Sequence, residues 1–155
     1  PVQRTLETNP LLRFSLYTDV QLHALNDVGK EIVGLCADWP DDMTNHHRVY
    51  NLFWLWVLGA YEVVRTMDQH RSRFSPHVAD MIGTQKRYLA GLRMPFAKQE
   101  FKGDKKIPIY AENSYVSVGV DGLCFEISGK EYWSGLVIKD FLADMTSIKA
   151  EDIQD

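Results

Sequence analysis

The chain of 155 residues has few of the features that usually identify a function. It has two cysteines, Cys36 and Cys124, and neither has a partner at the spacing of a metal site. It has no glycine-rich loop of the Walker or dinucleotide-binding type, and Ser134-Gly135 lacks the flanking residues of a nucleophile elbow. We therefore expect buried, reduced thiols, no nucleotide-binding motif and no cofactor.

The chain also lacks a strong charge and a long apolar run. Its net charge of −4 gives no general attraction to nucleic acid or to an anionic membrane. The uncharged run Val49 to Tyr61 is shorter than the ~20 residues that span a bilayer. No apolar run follows Pro1 to Arg4, so we expect no signal or transit peptide. These observations predict a cytoplasmic protein that does not contact membranes, with residues 1–155 forming a single domain.

The most apolar part of the chain, residues 49–70, is predicted to be the central helix. Trp54 and Trp56 lie about 200° apart around a helix and therefore face opposite ways. A helix that is apolar on all sides belongs in the middle of a core, so we expect burial on nearly all sides. Asp41 and Thr44 are both candidates for its N-cap.

The N-terminal arm, residues 1–17, contains a short alternation of apolar and polar residues. Leu12, Phe14 and Leu16 alternate with polar or larger neighbours, as in a half-buried strand that could pair with a sheet. A short helix is the alternative.

Residues 18–95 are predicted to form the helical part. Thr18 and Gln21 fit a capping box and predict the start of the first helix. Trp39-Pro40 predicts its end, because the residue before a proline is disfavoured in the α region.

The third helix is predicted to begin at Ser75-Pro76 and to stop at Met94-Pro95. One face of it is apolar, with Gln85 as the polar exception on that face. The apolar positions are Val78, Met81, Ile82, Leu89 and Leu92.

Four lysines follow in the loop 97–106. They are Lys98, Lys102, Lys105 and Lys106. The loop is interpreted either as a solvated surface segment or as a contact for a phosphate or a partner.

Within residues 107–133 the apolar residues recur at every second position in place of the helical spacing. This segment is predicted to form a β-hairpin or small antiparallel sheet. Asp121-Gly122 lies between two alternating runs and predicts a tight hairpin turn. A two-residue turn would pair Val120 with Leu123, Val118 with Phe125 and Val116 with Ile127 on one apolar face.

Three short segments complete the predicted β part and lead to the last helix. Ile107 to Tyr110 is a candidate edge strand, Gly129-Lys130 a second turn, and Glu131 to Trp133 a brief strand. Ser134 is predicted to cap a closing helix over residues 134–148. The apolar positions of this helix are Val137, Ile138, Phe141, Leu142, Met145 and Ile148.

The tail, residues 149–155, is acidic and expected to fray. The predicted fold is therefore α+β, mainly a helical bundle: three helices, a hairpin or small antiparallel sheet, and a closing helix.

A line of polar residues along the central helix is the first candidate site. His47, Asn51, Glu62, Arg65 and Gln69 fall within roughly 40° of one line on the helix surface. Glu62 and Arg65 are three residues apart and can form an ion pair. This polar seam is interpreted either as a salt bridge to neighbouring helices or as a pocket where Arg65 binds a phosphate or carboxylate.

Arg65 and His70 are separated by four residues, an Arg-x4-His spacing. This spacing resembles the HEPN family, helical domains that include metal-independent ribonucleases of toxin and defence systems. The resemblance implies that Arg65 stabilises the transition state and that His70 acts as acid and base across a homodimer. A guanidinium suits the developing phosphorane-like charge, and a histidine can exchange a proton near neutral pH.

His46-His47 does not predict a metal site, because adjacent helical residues point about 100° apart. With no stronger catalytic motif, the first hypothesis is a cytoplasmic interaction or assembly module, forming a homo-oligomer or binding a protein partner. The alternative is the HEPN-like ribonuclease, and only this alternative involves RNA as a partner.

Overall fold

The computed structural model describes residues 10–37, 43–98 and 114–154. Three helices come first: α1 (Leu16–Ala37), α2 (Met43–Gln69) and α3 (Pro76–Lys98). A three-stranded antiparallel sheet follows in the order β1 (Ser117–Gly119), β2 (Gly122–Ile127) and β3 (Lys130–Trp133), and then α4 (Ser134–Ser147). Short 3-10 helices lie at Pro10–Arg13, Arg71–Arg73 and Ala150–Asp152. The predicted α+β fold and the order of its elements are confirmed.

The core is centred on two aromatic residues of α2. The ring of Phe53 stacks on Phe125 of β2 at 5.4 Å and on Trp56 at 6.3 Å. Trp56 in turn meets the ring of Phe141 in α4 edge-on at 5.1 Å. Full burial of such a side chain stabilises the fold by roughly 1.5–3 kcal/mol. Through these two residues, α2 contacts both the sheet and the closing helix.

Trp56 also connects α2 to α1 by a hydrogen bond. Its indole Nε1 donates to the backbone carbonyl of Leu25 at 2.9 Å inside the core. One turn further along α1, a Cβ on Gly29 would lie only 2.8 Å from Cγ2 of Ile138. Gly29 therefore allows α1 to approach α4 closely beside the indole.

The central helix is less buried than the sequence suggests. Trp56 is buried, whereas Trp54 is only half-buried and donates from Nε1 to the carbonyl of Phe96 at 3.1 Å. Leu55 is 56% exposed, and Asn51 is exposed as well. The expectation of burial on nearly all sides is wrong, because α1, α3, α4 and the sheet cover three sides of α2 and leave the fourth to solvent.

The N-terminal arm contains a short helix in place of the predicted strand. Leu12 lies in the 3-10 helix Pro10–Arg13, and Leu16 already belongs to α1. Phe14 packs against Phe74 at 4.8 Å, so the segment is held by the turn after α2 and does not pair with the sheet. The alternative of a short helix is confirmed.

The first helix begins two residues before the predicted cap. Ser15 precedes the helix, and its hydroxyl oxygen accepts the backbone N–H of Thr18 at 3.4 Å. Thr18 itself is buried inside the first turn, so its prediction as the cap is wrong. At the start of α2, Thr44 is likewise inside the helix. Trp39-Pro40 and Asp41 lie outside the described residues.

The third helix begins at Pro76 as predicted but continues through Pro95 to Lys98. A proline inside a helix normally costs about 3 kcal/mol. The next residue, Phe96, packs edge-on against Phe53 at 6.2 Å and Phe125 at 5.2 Å. We attribute the continuation to these tertiary contacts, which the local sequence does not reveal.

Gln85 is the polar exception on the buried face of α3, as predicted. It is 9% exposed, and its amide donates to a carboxylate oxygen of Asp144 in α4 at 2.6 Å. The rest of the lysine-rich loop beyond Lys98, and the candidate strand Ile107 to Tyr110, lie outside the described residues.

The hairpin is present, but its register differs from the prediction by two residues. Val118 pairs with Leu123 and Gly119 with Gly122, so the turn is Val120-Asp121. Gly122 has a φ of +98°, the left-handed conformation that follows the turn in three-residue hairpin loops. An Asp-Gly pair is compatible with this loop as well as with the predicted two-residue turn.

Only the β2 part of the predicted apolar face is buried, although Val118 still lies opposite Leu123. In β2, Leu123, Phe125 and Ile127 are buried as predicted. The partner residues expected on the same apolar face are exposed, and Val120 is 88% exposed at the turn. The exposed residues are Val116, Val118 and Val120.

The hairpin is fixed directly to the start of α4. The hydroxyl oxygen of Ser134 accepts the N–H of Leu123 at 3.1 Å, and Gly135 N–H donates to the carbonyl of Asp121 at 2.8 Å. Ser134 is therefore the first residue of α4 and not its predicted side-chain cap. A Cβ on Gly122 would overlap the Ser134 hydroxyl.

The second turn is formed by Ser128-Gly129, one residue earlier than predicted. Both residues have a positive φ, 52° and 73°, as in a type I′ turn. Lys130 already belongs to β3, where it pairs with Ile127. The predicted brief strand from Glu131 to Trp133 is confirmed as part of β3.

Residues 150–154 of the tail are docked, which corrects the expectation of fraying. Ile153 is buried and forms an antiparallel bridge with Phe74. Ser75 N–H donates to the carbonyl of Asp152 at 2.7 Å, and Gln154 N–H donates to the carbonyl of Arg73 at 2.8 Å. The acidic composition suggested a solvated tail, but one acidic residue, Asp152, accepts hydrogen bonds that hold the tail in place.

Gly122→Ala and Gly129→Ala test the junction between the hairpin and α4. Both glycines have a positive φ, which costs about 1–2 kcal/mol for alanine. A Cβ at Gly129 meets open space, whereas at Gly122 it overlaps Ser134, and we expect a further ~1–3 kcal/mol from overpacking. Chemical denaturation measures both values. Equal destabilisation by the two variants would contradict the close packing at Gly122.

Asp152→Asn tests the docking of the tail through its pH dependence. The Lys149 N–H and the Ser75 hydroxyl hold the pKa of Asp152 below its ordinary value. A lowered pKa stabilises the fold above the unfolded value of about 3.9, and this contribution is lost as the pH falls through the folded value. We expect Asp152→Asn to lose part of this acid dependence in denaturation curves between roughly pH 2 and 5.

The matched control is Glu151→Gln, which removes the same charge from an exposed neighbour. It should leave the acid dependence of wild-type stability almost unchanged. A similar loss in both variants would assign the effect to net charge and not to the Asp152 hydrogen bonds.

Candidate functional site

The polar seam lies on the exposed side of α2. His47, Asn51, Glu62 and Gln69 are exposed, and Arg65 is half-buried. Leu55 and Leu58 lie along the same side of the helix, so the surface alternates between apolar and polar residues. The seam therefore does not line a closed polar pocket, although its residues share one face as the spacing predicts.

Glu62 and Arg65 form the ion pair that the spacing predicts. The Nε and Nη2 atoms of Arg65 lie 2.8 and 2.7 Å from Oε2 of Glu62. Arg93 of α3 lies 3.9 Å from the other oxygen of Glu62, and its guanidinium covers the ring of Tyr61 at 4.6 Å. The group links α2 to α3 at the surface, where such pairs contribute about 0–1 kcal/mol. It also directs the planar donors of Arg65 toward Glu62.

His70 lies just beyond the end of α2, in a different environment. Its ring lies 6.1 Å from that of Phe14, and the side chain is exposed. It lines an open pocket of about 250 Å³ together with Phe14, Ser15, Thr66 and Arg73. Arg65 is not among the lining residues. The guanidinium that shares this pocket with His70 is Arg73, which donates from Nε to the carbonyl of Gln154 at 2.7 Å.

The adjacent histidines have separate surroundings. His46 packs edge-on against Tyr115 at 6.0 Å, and His47 is exposed. Within residues 10–37, 43–98 and 114–154, no group of three His, Cys, Asp or Glu side chains is arranged to hold a metal ion.

The two thiols are buried and unsuited to nucleophilic chemistry. Burial raises the pKa of Cys36 to about 11 and also raises the pKa of Cys124. Both groups are therefore protonated at neutral pH, whereas the thiolate is the reactive form. Cys36 lies beside Ser134 at the junction of the hairpin with α4, where its role is packing.

A groove between α1 and α2 is an apolar feature that the sequence interpretation missed. Its volume is about 280 Å³. It is lined by Gln21, Ala24, Leu25 and Val28 from α1 and by Leu52, Leu55, Trp56, Gly59, Glu62 and Val63 from α2. We call this set the helical groove. Ala24, with only a methyl group, and Gly59, with no side chain, leave space between the larger lining residues.

Two exposed apolar residues of α1 extend the same face toward the helix start. Tyr17 is 81% exposed and Val20 is 57% exposed. Their spacing from Ala24 and Val28 gives α1 a second apolar stripe, about 100° or more away from the Leu22 and Leu25 side. We call Tyr17 and Val20 the apolar ridge. The sequence contains the signal for this stripe, because Tyr17, Val20, Ala24 and Val28 recur at helical spacing.

Among the described helices, none is long and apolar enough to cross a membrane.

Comparisons of the chain with protein-family models, with curated proteins and with solved structures gave no match.

Proposed function

We propose that this chain is a cytoplasmic interaction module that self-associates through the helical groove and the apolar ridge. The observation that carries the proposal is that both features lie on one face, formed by α1 and α2. Single exposed apolar residues are common on soluble proteins, but a contiguous apolar groove is typical of a binding surface.

A second copy of the chain is the occupant that this face favours. The apolar ridge projects from α1, and the helical groove begins at the next residues of the same helix, starting with Gln21. Val20 and Ala24 are about 6 Å apart along the helix axis. Two copies related by a two-fold axis could therefore each insert the ridge into the groove of the other, which is an isologous contact.

Charged pairs border the apolar surface at both ends. The Glu31–Arg48 pair joins α1 to α2 at one end, and the Glu62–Arg65 pair lies at the other. An apolar centre with a polar border is the usual anatomy of a protein interface. In this arrangement the polar seam belongs to the border of the interface.

Val20→Asp and Leu55→Asp test the self-association. Each variant puts a charge into the proposed apolar contact, where an unpaired buried charge costs several kcal/mol. We expect wild-type protein to have twice the mass of one chain by size-exclusion chromatography with light scattering. Both variants should be monomers with an unchanged circular dichroism spectrum.

Val120→Asp is the matched control, since Val120 is more exposed but lies at the hairpin turn and not on this face. It should remain dimeric. A monomeric wild type at ~100 µM would remove the basis of the proposal, because a stable interface gives a Kd in the micromolar range or below. Dimers that persist in both variants would show that another face is used.

Metal-independent RNA cleavage, the activity that the HEPN resemblance implies, is the second candidate function. The observation in its favour is that His70 shares an open pocket with a guanidinium, that of Arg73. An imidazole beside a guanidinium could transfer a proton while the cation stabilises charge on a phosphate. Arg65, which the resemblance assigns to this role, is paired with Glu62.

Incubation of the chain with single-stranded RNA in excess EDTA distinguishes the two candidates. With the interaction module we expect no cleavage by wild type, Arg65→Ala, Arg73→Ala or His70→Ala. Cleavage that is lost with His70→Ala and with either arginine variant would instead establish a ribonuclease. The arginine whose loss abolishes it would then be the stabilising group.

A further inference from the structure

A second cleft lies on the opposite side of α1 from the helical groove. It has a volume of about 310 Å³ and is bounded by the 3-10 helix Pro10–Arg13, by α1 and by the end of α4. Its lining consists of Pro10, Leu11, Asp19, Leu22, His23, Asn26, Leu142, Met145, Thr146 and Ile148. Asp19 and Gln21 are about 200° apart around α1, so the two cavities share no surface.

Asp19 is the unusual residue of this cleft. Its side chain is only 10% exposed, although it is a carboxylate at the edge of a mainly apolar cavity. Within the described part of the chain, its one ionic contact is Nε2 of His23, at a distance of 3.8 Å. That distance is too long for a strong hydrogen bond. A buried carboxylate normally has close donors, because its charge is costly to remove from water.

The cleft holds further polar groups beside Asp19, among them Asn26 and Thr146. The Thr146 hydroxyl donates to the carbonyls of Leu142 and Ala143, at 2.8 and 3.1 Å, so its proton is already used and only its oxygen remains as an acceptor. Asn26 is half-buried, and its amide has no hydrogen-bond partner among residues 10–37, 43–98 and 114–154. The cleft therefore combines the buried negative charge of Asp19 with the acceptor oxygens of Asn26 and Thr146, which favours a ligand that donates hydrogen bonds.

The rest of the lining is apolar. Leu11, Leu22 and Met145 are buried residues whose side chains reach the cleft, and Leu142 and Ile148 complete the wall. A cleft of this volume is at the lower end of the range for small-molecule sites, ~300–1,000 Å³. Its occupant should accordingly have a compact apolar body attached to its donor group.

We propose that this cleft binds a small primary amine with an apolar body. The ammonium group would lie against Asp19 and donate to the carboxylate, while the apolar body packs between Leu22 and Met145. An ammonium has three donors and a positive charge, which match the acceptors and the charge of the site. A carboxylate or phosphate ligand would instead be repelled by Asp19.

The site does not depend on the proposed self-association, since it lies on the other side of α1. A dimeric protein that binds no amine, or a monomer that does, would separate the two proposals.

The test uses the full chain and amide-resolved NMR titration at pH 7 with three matched probes. These are 2-phenylethylamine, 2-phenylethanol and 3-phenylpropanoate, which have similar bodies and differ in their polar group. We expect saturable shifts around residues 19–26 and 142–148 with the amine. Binding of the alcohol and of the carboxylate should be roughly tenfold weaker or more, because each lacks a charge-assisted hydrogen bond to Asp19.

Asp19→Asn should weaken amine binding by roughly tenfold or more for the same reason. Asp27→Asn is its control, since it removes the same charge from an exposed position of the same helix. It should bind the amine like wild type. If Asp19→Asn does not fold, the comparison of amine with alcohol on wild type decides the question.

Several results would overturn the proposal. Equal binding of amine and alcohol would show a purely apolar cavity, and equal binding to Asp19→Asn would show that the carboxylate is not the anchor. Absence of shifts up to the solubility limit of the amine would exclude the site for this class of ligand. Saturable shifts with Mg²⁺ or Zn²⁺ in the absence of amine binding would assign the cleft to a metal ion.

Discussion

The contact of Trp56 with its neighbours is the interaction on which the remaining structure depends. One indole brings together Phe53 on its own helix, Phe141 on α4 and, through a hydrogen bond, the backbone of α1. A buried indole N–H without an acceptor would cost about 1–3 kcal/mol, so the Leu25 carbonyl fixes the position of α1 relative to α2. Because α1 is fixed there, its other two sides become the walls of the helical groove and of the Asp19 cleft. Both proposed sites are thus consequences of how one helix is anchored.

The sequence predicted the fold best where local pattern and tertiary packing agree. Gln85 illustrates this, since a single polar residue on a buried apolar face needs a hydrogen-bond partner, and it has one in Asp144. The predictions failed where distant residues decide the outcome. Pro95 stays helical where Phe96 packs against β2, and the tail is ordered because Asp152 bonds to Ser75. In the hairpin, Asp-Gly permits two loop lengths, and the observed register coincides with the bonds that join Asp121 and Leu123 to α4.

In the candidate sites, too, the features that depend on local spacing could be predicted and those that depend on distant residues could not. The Glu62–Arg65 pair could be predicted because it depends on a spacing of three within one helix. The helical groove could have been anticipated in part from Tyr17, Val20 and Ala24, yet its depth depends on which side of α2 faces α1. The Asp19 cleft could not be predicted, because its walls come from segments at opposite ends of the chain, and only folding brings Leu11 beside Met145. A carboxylate in an ordinary amphipathic helix gives no sign in the sequence that it will be buried.

The close approach of Gly29 to Ile138 has a consequence for the order in which the protein can fold. These residues lie near opposite ends of the described chain, and loop closure over such a separation must precede the contact. Until α4 is available, α1 and α2 can form as helices, but Trp56 lacks its contact with the ring of Phe141. A nascent or truncated chain that lacks α4 therefore exposes apolar surface that the complete fold buries, and such exposure favours aggregation.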